Sequence, residues 1–159
     1  WSLNVSDNPY YMRSGRITLS AGLCNGFFWG CLVRKKDELL QQHGDGHEDI
    51  ERTARYLYTD GAVLRYQEFC AKTRCKTNKG GLQASLTREQ RRAEEERSVE
   101  LLVDEFPLIL APKPGSKLGV EFCSLKSMLR RHSLMSTEQF RKCVALKKLD
   151  IFVDSRCFF

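Results

Sequence analysis

Hydrophobic and polar positions alternate most clearly around Asp60-Gly61. Ala54, Tyr56 and Tyr58 alternate with Arg55 and Leu57 before it, and Val63, Arg65 and Gln67 alternate with Leu64, Tyr66 and Glu68 after it. A period of two is strand spacing, and Gly61 reaches the positive φ of a tight turn without a Cβ penalty. Glu51 to Phe69 is therefore expected to form a β-hairpin. Upstream, "SGRITLSAGLCNGFFWGCLVRKK" is rich in β-formers and broken by Asn25-Gly26, which predicts one or two strands. The polar, glycine-containing "DELLQQHGDGHED" between them reads as a loop with one helical turn.

Downstream the period changes. Thr87 with Gln90 forms a capping box ahead of "REQRRAEEERSVELL", so a helix is expected from Thr87, solvated over its first half and ending near Phe106-Pro107. "LILAP" and "KLGVEFCSL" flank the turn signature "KPGS", which predicts a second hairpin. A second capping box, Ser136 with Gln139, precedes a closing helix whose Phe140, Cys143, Val144 and Ile151 share one stripe. The positions expected to face a common interior are Leu32, Tyr56, Val63, Leu64, Ile109, Phe122, Phe140 and Val144.

The chain of 159 residues, 42% hydrophobic, suits a single domain spanning 1–159. Its start on Trp1 suggests a piece of a larger protein. No apolar run is long enough for a membrane span and no secretory leader is evident, so an intracellular location, cytoplasmic or nuclear, is expected. Seven scattered cysteines fit reduced thiols better than a disulfide framework, and the sequon Asn4-Val5-Ser6 is then expected to be idle.

Charge sharpens the picture. The net charge is +6, and it gathers in Arg65 to Lys79, where Arg65, Lys72, Arg74, Lys76 and Lys79 face only Glu68, and again between Lys117 and Lys148. Basic surfaces attract phosphate on lipid, nucleic acid or modified protein, and acidic protein surfaces as well.

The order "GCLVRKK", "RYLYTDGAVLRYQEF" and "SLMSTEQFRKCVALKKL" resembles a divergent pleckstrin-homology domain across Gly30 to Leu149. That resemblance implies an α+β fold: an antiparallel sheet or small barrel of about five to seven strands, with an inserted helix and a C-terminal capping helix. It also implies a site at the open barrel end, where Arg34, Lys35 and Lys36 would supply the first basic element and Arg52 and Arg55 the second. The spacing of Arg52 and Arg55 is one residue longer than the family's phosphoinositide pattern, so a protein partner is the expected ligand. Together with Lys72, Arg74, Lys76 and Lys79 these residues are the candidate binding set. An acidic lipid headgroup is the other acidic surface open to such a site.

Two further chemistries have candidate residues. His43 and His47, then Cys70 and Cys75, form an H-x3-H and C-x4-C pattern that matches a tetrahedral zinc set and would favour nucleic acid as partner. Gly44-Asp45-Gly46 between the histidines is a poor helix and C-x4-C is loose, so no metal and no cofactor are expected. No phosphate-binding glycine loop or nucleophile signature is present, and the carboxylates Asp45, Glu48, Asp49 and Glu51 read as solvated charge. The expectation is a non-catalytic interaction module; the alternative is a basic nucleic-acid-binding domain.

Overall fold

In the computed structural model the described residues are 1–12, 17–19, 23–44, 46–60, 63–72 and 86–123. The expected closing helix, with Phe140 and Val144, lies outside them.

The largest departure from expectation is at the centre of the chain. Glu48–Asp60 is a helix, α1, and not the first strand of a hairpin. The alternation of Ala54, Tyr56 and Tyr58 covers only a few residues, whereas Ile50, Ala54 and Leu57 repeat at helical spacing. Ala54 and Leu57 are fully buried, and Glu48, Asp49 and Glu51 in the first turn complement the positive end of the helix dipole.

Strands are short and fall into two sheets. Ser2–Asn4 (β1), Ile17–Leu19 (β2) and Leu64–Cys70 (β3) form a three-stranded sheet in the order β1-β3-β2. β1 runs parallel to β3 and β2 antiparallel to it. Leu110–Pro112 (β4) and Val120–Phe122 (β5) form a separate antiparallel pair. The expected single antiparallel sheet or barrel is thus overturned among the described residues. Its physical cause is local: the segment that should have supplied a strand beside β3 is helical, and the neighbours of β3 come from the far N-terminal part of the chain.

Two elements agree with the sequence. Arg88–Glu105 is a helix, α2, capped by Thr87: the Gln90 backbone N–H donates to Thr87 Oγ1 at 3.2 Å, and the Thr87 N–H donates to Gln90 Oε1 at 2.9 Å. Only Ser98, Val99 and Leu102 of α2 are buried, so its first half is solvated as expected. The β4–β5 turn uses Gly115 at φ +76°, a left-handed conformation open to glycine at no cost.

The core sits where α1, the C-terminal turn of α2 and the second hairpin meet. Ala54, Leu57, Leu102, Phe106, Leu108, Ile109 and Leu110 pack there with Cys24 and Val63. Tyr58 meets Phe106 edge to face, with ring centroids 5.9 Å apart. Of the positions expected inside, Val63 and Ile109 are buried, Tyr56, Leu64 and Phe122 are partly so, and Leu32 is 83% exposed. Leu32 fails because the segment around it is an extended surface strap rather than a core strand. Among the described residues, no helix is long and apolar enough to cross a membrane.

Candidate functional site

Helix α1 presents a second face besides the one in the core. Arg52, Tyr56 and Asp60 are spaced four apart, so they form one stripe along the helix. The strap from Cys24 to Arg34 lies along that stripe in register. Its start is pinned by the Cys24 backbone N–H, which donates to Thr53 Oγ1 at 3.0 Å. The Arg52 guanidinium then lies over the Trp29 ring, 3.9 Å from its centroid. Cys31 lies beside Tyr56, and interaction with its thiol is the first cause that pushes the tyrosine hydroxyl above its ordinary pKa, ahead of burial. Arg34 closes the run: it sits 5.3 Å from the Tyr56 ring centroid and donates through Nη1 and Nη2 to Asp60 at 2.8 and 2.6 Å. That hydrogen bonding holds the Arg34 pKa above its ordinary value.

Between strap and helix is a cavity of about 280 Å³. Its walls are apolar and aromatic, with Trp1, Trp29, Leu32, Tyr56, Val63 and Leu64, and its charged lining is two guanidiniums, Arg34 and Arg52, against one carboxylate, Asp60. Trp1 is held in place by a backbone exchange with Gly30, N to O at 2.8 Å and O from N at 3.0 Å, and by edge-on contact with Tyr66.

The notable feature is Arg52. Its Nε and Nη2 are shielded from solvent and have no hydrogen-bond partner. These two nitrogens make up one edge of the guanidinium, the edge that binds a carboxylate or phosphate with two parallel hydrogen bonds. This edge is closed off from solvent, and Nη2 lies near Gly26, a residue outside the cavity lining. Glu48 lies one turn earlier on α1 without bonding to it. Burial, then the charge of Asp49, hold the Glu48 carboxyl above its ordinary pKa, while Arg52 pulls it down.

The residues named from sequence divide accordingly. Arg34 and Arg52 come together at the cavity, and Lys35 and Lys36 are exposed beside it. Arg55 is corrected: it is 3% exposed, with its charge spent on Glu51 and Glu105, because a helix places it one turn after Glu51 and inside. Lys72 is exposed, pairs with Asp7 at 2.8 Å and is not part of the cavity lining. Arg74, Lys76, Lys79 and Cys75 lie outside the described residues. The zinc pattern is not assembled by the histidines: the His43 ring contacts the Glu105 carboxylate, and His47 Nε2 pairs with the Leu118 carbonyl at 3.0 Å. Among the described residues, no three metal-ligating side chains gather. Missed from sequence were Trp1, Trp29, Cys31 and Asp60, although the four-residue spacing of Arg52, Tyr56 and Asp60 would have grouped the last of these had α1 been read as a helix.

No protein-family model, no curated protein and no solved structure matches the chain.

Proposed function

We propose that this chain is a non-catalytic binding module that takes an acidic group of a protein partner into the cavity between the Trp29 strap and α1. The observation that carries the reading is the cavity lining, aromatic walls with two guanidiniums, Arg34 and Arg52, against one carboxylate, Asp60, and with Arg52 held over the Trp29 ring. The contact with Trp29 restrains the Arg52 guanidinium before any ligand arrives, which reduces the ordering cost of binding. The surroundings fit a protein surface: Phe27, Phe28, Leu32 and Val33 are exposed on the same strap, Val33 at 92%, and Lys35 and Lys36 follow. Trp, Tyr and Arg are the residue types that most often dominate the energetics of protein interfaces, and adjacent lysines raise the rate at which acidic partners arrive.

Peptide binding followed by calorimetry tests the reading. Acidic peptides are expected to bind with an affinity that falls as salt rises, and Arg52→Ala to weaken them about tenfold or more. Neutral peptides binding as well as acidic ones, or an Arg52→Ala variant that binds unchanged, would reject it.

A further inference from the structure

We propose that the partner adds an extended segment of its own chain to the free edge of the strap, as one more strand beside the β1-β3-β2 sheet, an inference that rests on reading the ligand as an acidic protein partner. β1 is an edge strand of that sheet, and the strap runs antiparallel along its open side. The Trp1 nitrogen donates to the Gly30 carbonyl at 2.8 Å, the Gly30 N–H donates to the Trp1 carbonyl at 3.0 Å, and the Leu3 N–H reaches the Phe28 carbonyl at 3.4 Å. Phe28 and Gly30 thus turn backbone groups toward β1. In an antiparallel pair the residue between two such positions turns its own groups the other way, so the Trp29 N–H and C=O face outward. Among the described residues they meet no hydrogen-bond partner, and neither do those of Leu32 and Val33. The strap has covered the edge of β1 and become the edge itself.

An unpaired edge is a template for another strand, and proteins usually blunt it with charge, proline or a covering element. Here Leu32 and Val33 are the two most exposed large hydrophobic residues among those described, and no proline lies between Trp29 and Lys36. Bare N–H and C=O groups call for a complementary ladder, which a lipid surface lacks and an extended peptide supplies at every second residue. Leu32 and Val33 call for β-branched or aromatic neighbours across the pair, and Lys35 and Lys36, both exposed, call for carboxylates. A second copy fits that charge worst. It would bring together two chains of net charge +6, each with Arg34, Lys35 and Lys36 in the paired segment. Trp29 and Cys31 turn their side chains to Arg52 and Tyr56 of α1, so the helix-facing side chains of an added strand lie beside the cavity.

Two synthetic probes of one composition, Val-Thr repeats with two glutamates at the start or at the end, cover both strand directions. Calorimetry gives their affinity, and amide hydrogen exchange shows where they lie. With free probe at about ten times its Kd, the better one is expected to slow exchange about tenfold at Trp29 and at alternate residues beyond it. N-methylating one alternate set of probe amides should abolish binding and methylating the other should leave it unchanged, a period-two result that needs no variant of the protein. Lys35→Glu with Lys36→Glu should weaken the probe at least about tenfold with the thermal midpoint unchanged. Acidic probes that depend on Arg52, leave the strap amides exchanging freely and tolerate either methylation overturn edge pairing and leave the acidic-docking reading standing. Equal binding and protection by a probe with glutamine in place of glutamate overturns the acidic partner and keeps the edge. Protection that grows with protein concentration in the absence of probe makes the occupant a second copy and overturns the proposal, as does protection by phosphatidylserine vesicles alone. Binding by neither probe overturns both readings.

Discussion

Arg55 meets Glu105 edge to edge: Nη1 and Nη2 donate to the two carboxylate oxygens at 2.9 and 3.0 Å, across 50 residues of sequence. The same guanidinium donates from Nε to Glu51 at 2.8 Å, and Glu51 in turn accepts from the backbone N–H groups of Gln42 and His43. One buried cation thus ties α1, the end of α2 and the segment before α1 together.

Arg55→Ala is therefore expected to cost about 3–5 kcal/mol in urea denaturation, because it strands the buried Glu51 carboxylate. The double variant Arg55→Met with Glu51→Gln should recover part of that loss, since most of the cost is the unpaired charge and not the missing pair. A single variant within 1 kcal/mol of the native chain would contradict the network.

Thr87 caps α2 at an exposed position, so its effect isolates the cap from packing. Thr87→Ala should lower stability by about 1 kcal/mol and Thr87→Ser by much less. Equal losses for both would place the effect in the methyl group and not in the hydroxyl bonded to the Gln90 N–H.

The contrast between α2 and α1 explains how much the sequence could reveal. Thr87, Gln90, Phe106-Pro107 and Pro114-Gly115 are local signals, each fixing a cap, a stop or a turn through neighbouring atoms, and α2 and the β4–β5 hairpin follow them. Around Asp60 two periods compete, and the Asp-Gly pair favours a hairpin. The helical stripe of Ile50, Ala54 and Leu57, and the Glu51–Arg55 pair four apart, were the signals for the other outcome. The partners of β3 could not be read locally at all, since β1 lies some sixty residues earlier and pairs in parallel. The site was half legible. Arg34 and Arg52 were named for their charge, but Trp29 meets Arg52 from 23 residues away, and only the folded chain brings that pair together.

Glu48 gives a pH test. Its folded pKa is raised, chiefly by burial, so the native state binds this proton more readily than the unfolded chain does. The sign follows: its contribution favours folding below the ordinary carboxylate range and is lost as pH rises through the raised value. Glu48→Gln cannot ionise and should raise the thermal midpoint at neutral pH, an advantage that fades as the pH is lowered through the carboxylate range. A variant less stable at neutral pH would show that the dipole of α1 outweighs the burial.

Two glycines separate space from backbone strain, and with them the cavity from the rest of the fold. A Cβ at Gly30 would lie 2.7–2.8 Å from three atoms of the Trp1 indole, so Gly30→Ala must displace that ring from the cavity wall. Trp1 is half exposed already, and its loss should change stability little. Tryptophan emission should shift to the red and binding of acidic peptides should weaken severalfold. At Gly115 a Cβ would meet nothing within 4 Å, but φ is +76°, so Gly115→Ala carries only the left-handed penalty of about 1–2 kcal/mol. It should lower stability and leave emission and peptide binding as they were. If Gly115→Ala weakened binding as much as Gly30→Ala, the loss would track global stability, and Trp1 would have no part in holding the ligand.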